Sequence, residues 1–196
     1  MVEKFKNKYR IQSARASWWD YSNEGLYFIT ICTVGRECLL GKIESGEMFL
    51  SDLGKIVKEE WEKSFEIRSE LICDTYVIMP NHIHAIIEIK KDTYVDPHGS
   101  AANKNESNLV KPQGLAALSK KNGIAHRPAK SISSFVAGFK LAATLKINRI
   151  RKTPKLPLWQ TRFHDRIIRD FDEYHRIQNY IIENPEKWIN DKFFIE

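Results

Sequence analysis

Residues 71–89, LICDTYVIMPNHIHAIIEI, limit the possible folds of this chain more than any other segment. The segment is rich in isoleucine, valine and other residues that favour extended backbone. Its length fits two strands or one long bent strand. Because side chains alternate between the two faces of a strand, His82 and His84 are expected on one face, about 6 to 7 Å apart. Two imidazoles in that arrangement can bind a metal, transfer protons or pack in a core.

The remaining apolar patterns predict an α+β fold with a central antiparallel sheet and flanking helices. Short runs of β-branched and aromatic residues mark strands, and apolar residues at helical spacing mark helices. The resulting order, β-α-β-β-α-β-α, is consistent with helices packed on one or both faces of such a sheet. Outside 71–89 the predicted elements are a strand at 26–34, a helix from Ser51 and Asp52 onward, an amphipathic helix at 131–150, a short strand with Phe163, Ile167 and Ile168, and a helix from Asp170 that ends before Pro185.

The 196 residues predict a single domain, 1–196, with one flexible insertion at about 91–130. This segment holds three of the seven prolines and three glycines among many Asn, Ser, Lys and Ala residues. Its apolar residues show little periodicity, which is typical of a loop rather than of a second folded unit.

Positive charge is concentrated between residues 131 and 169, although the whole chain carries a net charge of only +6. That segment has nine Lys or Arg residues and one acidic residue. A block of this kind suits a phosphate backbone, because each cation that neutralises a phosphate releases counterions. A solvated helix face is the alternative interpretation of the same charges.

Composition excludes two broad classes of protein. With hydrophobic residues at 42% the chain can form a core, so wholesale disorder is excluded. No stretch approaches the roughly 18 apolar residues of a membrane span, and residues 1–19 lack the apolar core of a signal peptide. Cys32, Cys38 and Cys73 lack metal-type spacing and are interpreted as reduced thiols, which predicts a cytoplasmic protein.

Most other histidine-based and nucleotide-binding motifs do not fit this sequence. A HxHxH nucleotidyl-transfer motif would need a histidine where the chain has Ile86. The sequence also lacks the HExxH motif, the GxSxG nucleophile motif and a Walker loop. A two-histidine metal site beside a basic segment is left. Histidine nitrogens suit transition ions, and with an oxygen ligand they can also hold Mg²⁺ or Mn²⁺ bound to a phosphate.

A tyrosine can act as the nucleophile in phosphodiester cleavage by forming a phosphotyrosine. Tyr180 and Asn184 are four residues apart in the last predicted helix, so they share a face. One helix can therefore present a hydroxyl nucleophile and a neutral oxygen ligand together. The alternative is that Tyr180 packs beside Ile177 and that Asn184 merely ends the helix before Pro185.

Five stretches, in this order along the chain, resemble the REP-associated tyrosine transposases: YFITICT, MPNHIHAII, SISSFVAGFK, LWQTRFHDRIIR and YIIENPEKW. Those proteins belong to the single-tyrosine HUH transposase superfamily, named for a His-hydrophobic-His motif. The resemblance covers about residues 20–90 and 130–190. It implies an HUH endonuclease fold of ferredoxin- or RRM-like architecture and cleavage of single-stranded DNA next to a hairpin. The sequence leaves open whether the protein is a monomer or a homodimer.

The resemblance implies roles for individual residues. His82 and His84 match the HUH histidines, Tyr180 matches the catalytic tyrosine, and Asn184 matches the third metal ligand. The implied cofactor is a divalent metal, Mg²⁺ or Mn²⁺. Arg166 departs from the pattern, because relatives often have a histidine before the paired isoleucines.

The implied activity is a DNA nicking and strand-transfer reaction through a covalent 5′-phosphotyrosine, carried out in the cytoplasm at the nucleoid. Basic residues would bind the DNA backbone, and two aromatic residues are candidates for stacking on unpaired bases. Trp159 is equally a candidate for the core. The predicted DNA-binding set is Lys140, Lys146, Arg149, Arg151, Lys152, Arg162, Arg169, Trp159 and Phe163.

Two other functions use the same features. The first is a single-stranded nucleic-acid-binding protein without chemistry, in which the histidines only pack. The second is a metal-dependent phosphodiesterase that activates water, in which Tyr180 is dispensable. The sequence offers no cluster of acidic residues beside His82 and His84 for the second function.

Overall fold

The computed structural model describes residues 22–90 and 130–195. The predicted insertion at 91–130 therefore lies almost entirely outside the described residues. The described parts of the chain contain strands and helices in the following order: β1 Gly25–Cys32, β2 Gly41–Glu44, β3 Glu47–Leu50, α1 Asp52–Glu66, β4 Leu71–Met79, β5 His82–Ile89, α2 Ile132–Arg151, β6 His164–Ile167 and α3 Phe171–Ile182.

A four-stranded sheet of order β4-β5-β1-β6 forms the centre of the structure, and each neighbouring pair of strands is antiparallel. The segment 71–89 makes two of these strands, β4 and β5, which are joined by a tight turn at Pro80 and Asn81. β5 pairs along its whole length with β1, and this places His82 opposite Cys32. The predicted α+β fold with a central antiparallel sheet is confirmed.

A hairpin of two short strands, β2 and β3, was not predicted. Its turn is formed by Ser45 and Gly46, whose φ angles of 51° and 81° are both left-handed. Two positive φ angles in a two-residue loop suit the right-handed twist of the flanking strands. The Ser-Gly pair is the sequence signal for this turn, but the four-residue strands beside it have too few buried residues for a clear alternation.

The helices begin and end near the predicted positions because the chain supplies the expected caps. The Ser51 hydroxyl accepts a hydrogen bond from the Gly54 backbone N–H, and the Asp170 carboxylate accepts one from the Glu173 backbone N–H. Such caps satisfy backbone donors that have no partner inside the helix. At its other end α3 stops at Ile182, before Pro185. None of the helices in the described ranges is long and apolar enough to span a membrane.

The two faces of the sheet are covered by different elements. α1 and α2 lie on one face, where residues such as Ile29, Trp61 and Phe139 form the main apolar core. α3 and the segment after it lie on the other face, where Ile86 and Ile177 form a smaller cluster. Because β5 alternates, its even-numbered residues, among them both histidines, belong to the α3 face.

Candidate metal and nucleophile site

The two histidines lie side by side on the α3 face of β5. Both have no exposed surface, and their ring centroids are 4.4 Å apart. The predicted common face is therefore confirmed. His84 is fixed by its cross-strand neighbour Thr30, whose hydroxyl oxygen lies 2.9 Å from His84 Nδ1.

Asn81 determines which nitrogen of His82 carries the hydrogen. Its amide nitrogen donates to the backbone carbonyls of Arg36 and Phe193, at 2.9 and 2.8 Å. Because these carbonyls only accept, Asn81 Oδ1 must be the atom 2.8 Å from His82 Nδ1. His82 Nδ1 is therefore the donor, and in the neutral ring Nε2 has a free lone pair. This Nε2 is buried and has no hydrogen-bond partner.

α3 brings Tyr180 and Asn184 to the histidines, as their shared helix face predicted. The Tyr180 hydroxyl lies 3.1 Å from His84 Nε2, and the Tyr180 side chain is 38% exposed. A tyrosine held beside the histidines and still partly exposed can be reached by a substrate. Asn184 is buried, and its Oδ1 has no hydrogen-bond partner.

Asp191 also belongs to this site, and the sequence analysis missed it. Its Oδ2 accepts hydrogen bonds from the Tyr180 hydroxyl at 3.1 Å and from Asn184 Nδ2 at 2.9 Å. Potential ligand atoms of His82, His84 and Asp191 all lie within 4.8 Å of one another. Asp191 follows α3 by several residues and has no motif of its own, so no local pattern marks it.

The segment that carries Asp191 is fixed by aromatic packing against the histidines. Trp188 and Phe193 are buried, and their ring centroids lie 6.0 and 4.6 Å from that of His82. The Asp191 carboxylate also accepts a hydrogen bond from the Phe193 backbone N–H at 2.6 Å. These contacts hold the carboxylate over the site.

Burial keeps both histidines neutral at pH 7. It lowers the pKa of His82 to about 4, with the Asp191 charge acting in the opposite direction. Burial, and then the neighbouring His82, lower the pKa of His84 well below its usual value. Burial and the Asp191 carboxylate raise the pKa of Tyr180, so its hydroxyl keeps its proton near neutral pH. The site thus offers neutral nitrogen ligands beside a protonated tyrosine.

The donor set fits a divalent metal. Buried polar atoms are normally hydrogen-bonded, yet His82 Nε2 and Asn184 Oδ1 are both acceptors without a partner. Two imidazole nitrogens with amide and carboxylate oxygens suit Mn²⁺ and other transition ions, and the oxygens also suit Mg²⁺. The residues that would hold the ion are His82, His84 and Asn184, and Asp191 lies beside them.

The basic helix α2 lies on the opposite face of the sheet from this site. Lys140 Nζ donates to the backbone carbonyls of Gln160 and Arg162, at 2.8 and 3.0 Å. Lys146 Nζ lies 2.7 Å from Glu59 Oε2 and 3.1 Å from Glu60 Oε1. Both lysines therefore have partners within the chain. The other predicted basic contacts are exposed or half-exposed: Arg149, Arg151, Lys152, Arg162 and Arg169.

Of the two aromatic candidates for base stacking, Trp159 is part of the core. It is 6% exposed and packs on Phe139, with ring centroids 5.6 Å apart. A ring buried in this way favours the core role that the sequence left as the alternative, and base stacking by Trp159 stays an untested prediction. Phe163 is half-buried, with Lys140 Nζ 5.7 Å from its ring centroid.

Two cations beside the site were absent from the predicted set. Arg36 Cζ and Lys192 Nζ lie 5.2 and 4.8 Å from the ring centroid of Phe193, which packs on His82. Both charges are exposed and contribute to lowering the pKa of His82. Arg36 follows β1 and Lys192 follows α3, outside the basic segment 131–169.

Arg166 forms an ion pair within the chain. Its guanidinium lies 2.5 Å from the carboxylate of Glu173, which is 6% exposed. The shallow pocket around this pair, of about 470 Å³, is lined by equal numbers of basic and acidic side chains, so their charges cancel. The lining residues are Arg166, Arg169, Arg176, Asp170, Asp172 and Glu173.

Comparison with known proteins shows a relative that spans nearly the whole chain. No protein-family model matches the sequence. An uncharacterized protein of Haemophilus influenzae is 34% identical over 186 residues, which cover 94% of this chain and 93% of that protein. The chain belongs to the same family as this protein. The comparison therefore shows a family relationship, and the function has to be inferred from the site.

Among solved structures, a REP-associated tyrosine transposase bound to a REP hairpin has the same fold. The TM-score is 0.54 at 18% identity, covering 89% of this chain and 74% of that chain. A second structure, from Deinococcus radiodurans, has a TM-score of 0.43 at 15% identity and covers 87% of this chain and 96% of that one. The resemblance found in the sequence is confirmed as a likeness of fold by the first structure.

Proposed function

We propose that the protein is a transposase: a metal-dependent endonuclease and strand transferase for single-stranded DNA. It would act beside DNA hairpins through a covalent 5′-phosphotyrosine formed by Tyr180. In this proposal His82, His84 and Asn184 hold Mg²⁺ or Mn²⁺. The alternative is a single-stranded nucleic-acid-binding protein without chemistry.

One observation carries the proposal. The Tyr180 hydroxyl lies 3.1 Å from His84 Nε2, in a site where His82 Nε2 and Asn184 Oδ1 are buried acceptors without partners. Two such acceptors beside one hydroxyl favour a ligand site over packing alone, because a buried acceptor without a partner costs about 1 to 3 kcal/mol. A nucleophile next to two buried acceptor atoms that can serve as metal ligands fits metal-assisted attack on a phosphate.

The proposed reaction begins at the Tyr180 hydroxyl oxygen. When bound, the divalent ion supplies positive charge to the non-bridging oxygens of the scissile phosphate. The hydroxyl oxygen attacks phosphorus as it gives its proton to water, the bond from phosphorus to the 3′ oxygen breaks, and that oxygen takes a proton from water and leaves as a 3′-hydroxyl. The 5′-phosphotyrosine keeps the phosphoester bond, so a 3′-hydroxyl of another strand can displace Tyr180 without ATP.

The proposed partner is single-stranded DNA that carries a hairpin. The basic side chains exposed around the sheet, together with Arg36 and Lys192 next to the site, supply charge for its phosphates. The transposase of the same fold was solved with a REP hairpin, which makes a hairpin the first substrate to try. Such a reaction would take place in the cytoplasm, at the nucleoid.

The decisive experiment looks for the covalent intermediate. The protein is incubated with labelled hairpin oligonucleotides that carry single-stranded flanks, in Mn²⁺ or Mg²⁺, and separated on a denaturing gel. We expect a protein–DNA adduct with the wild type, none with Tyr180→Phe, and none in chelator. Tyr174→Phe is the matched control, because Tyr174 lies on the same helix and its hydroxyl contacts Asp74 away from the histidines.

The other outcomes separate the competing functions. Cleavage without an adduct that persists in Tyr180→Phe would mean that water is the nucleophile. Binding without cleavage for hairpins of varied loop and flank would favour the non-catalytic protein.

A further inference from the structure

The Asp191 carboxylate accepts three hydrogen bonds, two from the site and one from its own segment. Oδ2 accepts from Asn184 Nδ2 at 2.9 Å and from the Tyr180 hydroxyl at 3.1 Å, while Oδ1 accepts from the Phe193 backbone N–H at 2.6 Å. One oxygen thus connects the proposed nucleophile to the proposed third ligand. Hydrogen bonds to a charged acceptor are about twice as strong as neutral ones.

The bond from Asn184 to Asp191 decides which way the Asn184 amide faces. A carboxylate oxygen only accepts, so the amide must present its NH₂ group to Asp191. Asn184 Oδ1 then faces elsewhere, and it is buried without a partner. If the amide turned by half a rotation, its oxygen would face the carboxylate and its NH₂ group would occupy the position of a ligand. Asp191 therefore selects the orientation in which Asn184 can bind a cation.

The bond from Tyr180 to Asp191 has a matching effect on the nucleophile. The hydroxyl lies between two groups, His84 Nε2 at 3.1 Å and Asp191 Oδ2 at 3.1 Å, and it has one hydrogen to donate. His84 Nε2 cannot accept that hydrogen while it serves as a ligand. Of the acceptors described for that hydrogen, Asp191 Oδ2 then remains to hold the hydroxyl in place.

We propose that Asp191 is a positioning residue of this site. Through one carboxylate oxygen it keeps Asn184 Oδ1 available to the metal and keeps the Tyr180 hydroxyl beside it. The inference rests on the proposed function and adds to it a residue from the segment after α3. Asp191→Asn is the most suitable test variant. Its side chain has the same size and keeps one oxygen that can accept from the Phe193 N–H, but its NH₂ group cannot replace the second carboxylate oxygen as an acceptor.

The first test measures Mn²⁺ affinity in a double-mutant cycle with Asn184→Ala. If Asp191 acts through Asn184, Asp191→Asn weakens Mn²⁺ binding about tenfold more in the wild-type background than in the Asn184→Ala background. The loss that remains in the Asn184→Ala background measures the carboxylate charge alone. Isothermal titration calorimetry, or the electron paramagnetic resonance signal of free Mn²⁺, gives each dissociation constant without any activity assay.

Two results of this cycle would overturn the inference. Equal losses in both backgrounds would mean that Asp191 acts independently of Asn184, through its charge or as a ligand itself, and not through Asn184. An unchanged affinity in Asp191→Asn would mean that the carboxylate has only a structural role. Asp172→Asn is the matched control, because it removes an exposed acidic side chain from α3 and should leave the affinity unchanged.

A second readout needs no metal and no DNA. In a ¹⁵N-correlated spectrum of the chelator-treated protein, the Asn184 side-chain amide is identified by its absence from Asn184→Ala. We expect this resonance to shift in Asp191→Asn, because its charged acceptor is gone, and to stay in place in Asp172→Asn. An Asn184 resonance that Asp191→Asn does not move would contradict the inference.

The nucleophile is tested by single-turnover adduct formation at saturating Mn²⁺ and oligonucleotide. We expect Asp191→Asn to lower the rate constant about tenfold under these conditions, since the hydroxyl is no longer held. An unchanged rate would remove the Tyr180 part of the inference. If the wild type forms no adduct with any oligonucleotide, the proposed function fails, and the cycle and the spectrum still judge Asp191 by themselves.

Discussion

The two faces of the central sheet differ in what they bury, although they share the same strands: one buries mainly apolar side chains and the other a polar cluster. On the α1–α2 face the strands contribute Tyr27, Ile29 and Ile31 to an apolar core with interlocking aromatic rings. On the α3 face the same strands contribute Thr30 and His84 to a buried polar cluster. The first face is filled mainly by apolar contacts, and the second holds the buried acceptors His82 Nε2 and Asn184 Oδ1, which have no hydrogen-bond partner.

This difference indicates a division of labour between stability and chemistry. Burial of apolar area is the main favourable contribution to folding, and the α1–α2 face buries most of it. The α3 face instead keeps the desolvated atoms His82 Nε2 and Asn184 Oδ1, each of which is unfavourable for the folded state. We expect substitutions on the first face to change stability and substitutions on the second to change function.

The sharpest test of the comparison is Phe139→Ala on α2. Phe139 is 1% exposed and packs on Trp61 and Trp159, so its removal should lower the free energy of unfolding by about 3 to 5 kcal/mol. Denaturant unfolding measures the loss. Leu141→Ala is the control on the same helix, since Leu141 is 60% exposed and should change stability by less than about 0.5 kcal/mol. Similar losses for both variants would show that apolar burial on the α1–α2 face does not dominate stability.

The buried histidines of the α3 face should make the free energy of unfolding depend on pH. Burial lowers the pKa of His82 from 6.5 to about 4 in the folded protein, so the unfolded chain binds a proton in that window while the folded chain does not. The free energy of unfolding is therefore at its full value above about pH 6.5, where His82 is neutral in both states, and it falls as pH decreases toward 4. For one such group the change is about 3 kcal/mol.

This dependence is measured by chemical unfolding in chelator at pH 7 and at pH 4.5. His82→Gln should reduce the slope and leave the part that comes from His84, whereas His175→Gln, at an exposed position on α3, should keep the wild-type slope. A wild-type slope in His82→Gln would show that His82 is not the buried neutral base described above.

The smallest effects concern the basic residues. Lys146 is engaged by Glu59 and Glu60 on the α1–α2 face, so Lys146→Ala should change affinity for single-stranded DNA by less than about twofold. Lys192 lies beside the site, so Lys192→Ala should weaken DNA binding several-fold. It should also reduce the slope of log K against log salt concentration by about one. Fluorescence anisotropy at several salt concentrations measures both. A larger loss of affinity for Lys146→Ala would show that the DNA contacts α2.

Local patterns in the sequence determined the elements of the sheet and the position of its histidines. Alternation along β5 is a geometric property of extended backbone, so the common face of His82 and His84 followed from their spacing once a strand was predicted. The same holds for Tyr180 and Asn184, because residues four apart share a helix face. Capping residues such as Ser51 and Asp170 marked the starts of helices, since they act on the backbone next to them.

Only the tertiary structure decided what surrounds those residues. The contact of Asp191 with Tyr180 and Asn184, and the place of Trp159 in the core, depend on how separate elements pack. The same packing put the basic helix α2 on the face opposite the histidines, although their charges and motifs suggested one combined site. Spacing along a helix or strand fixes direction within that element, whereas distances between elements are set by packing of the whole chain.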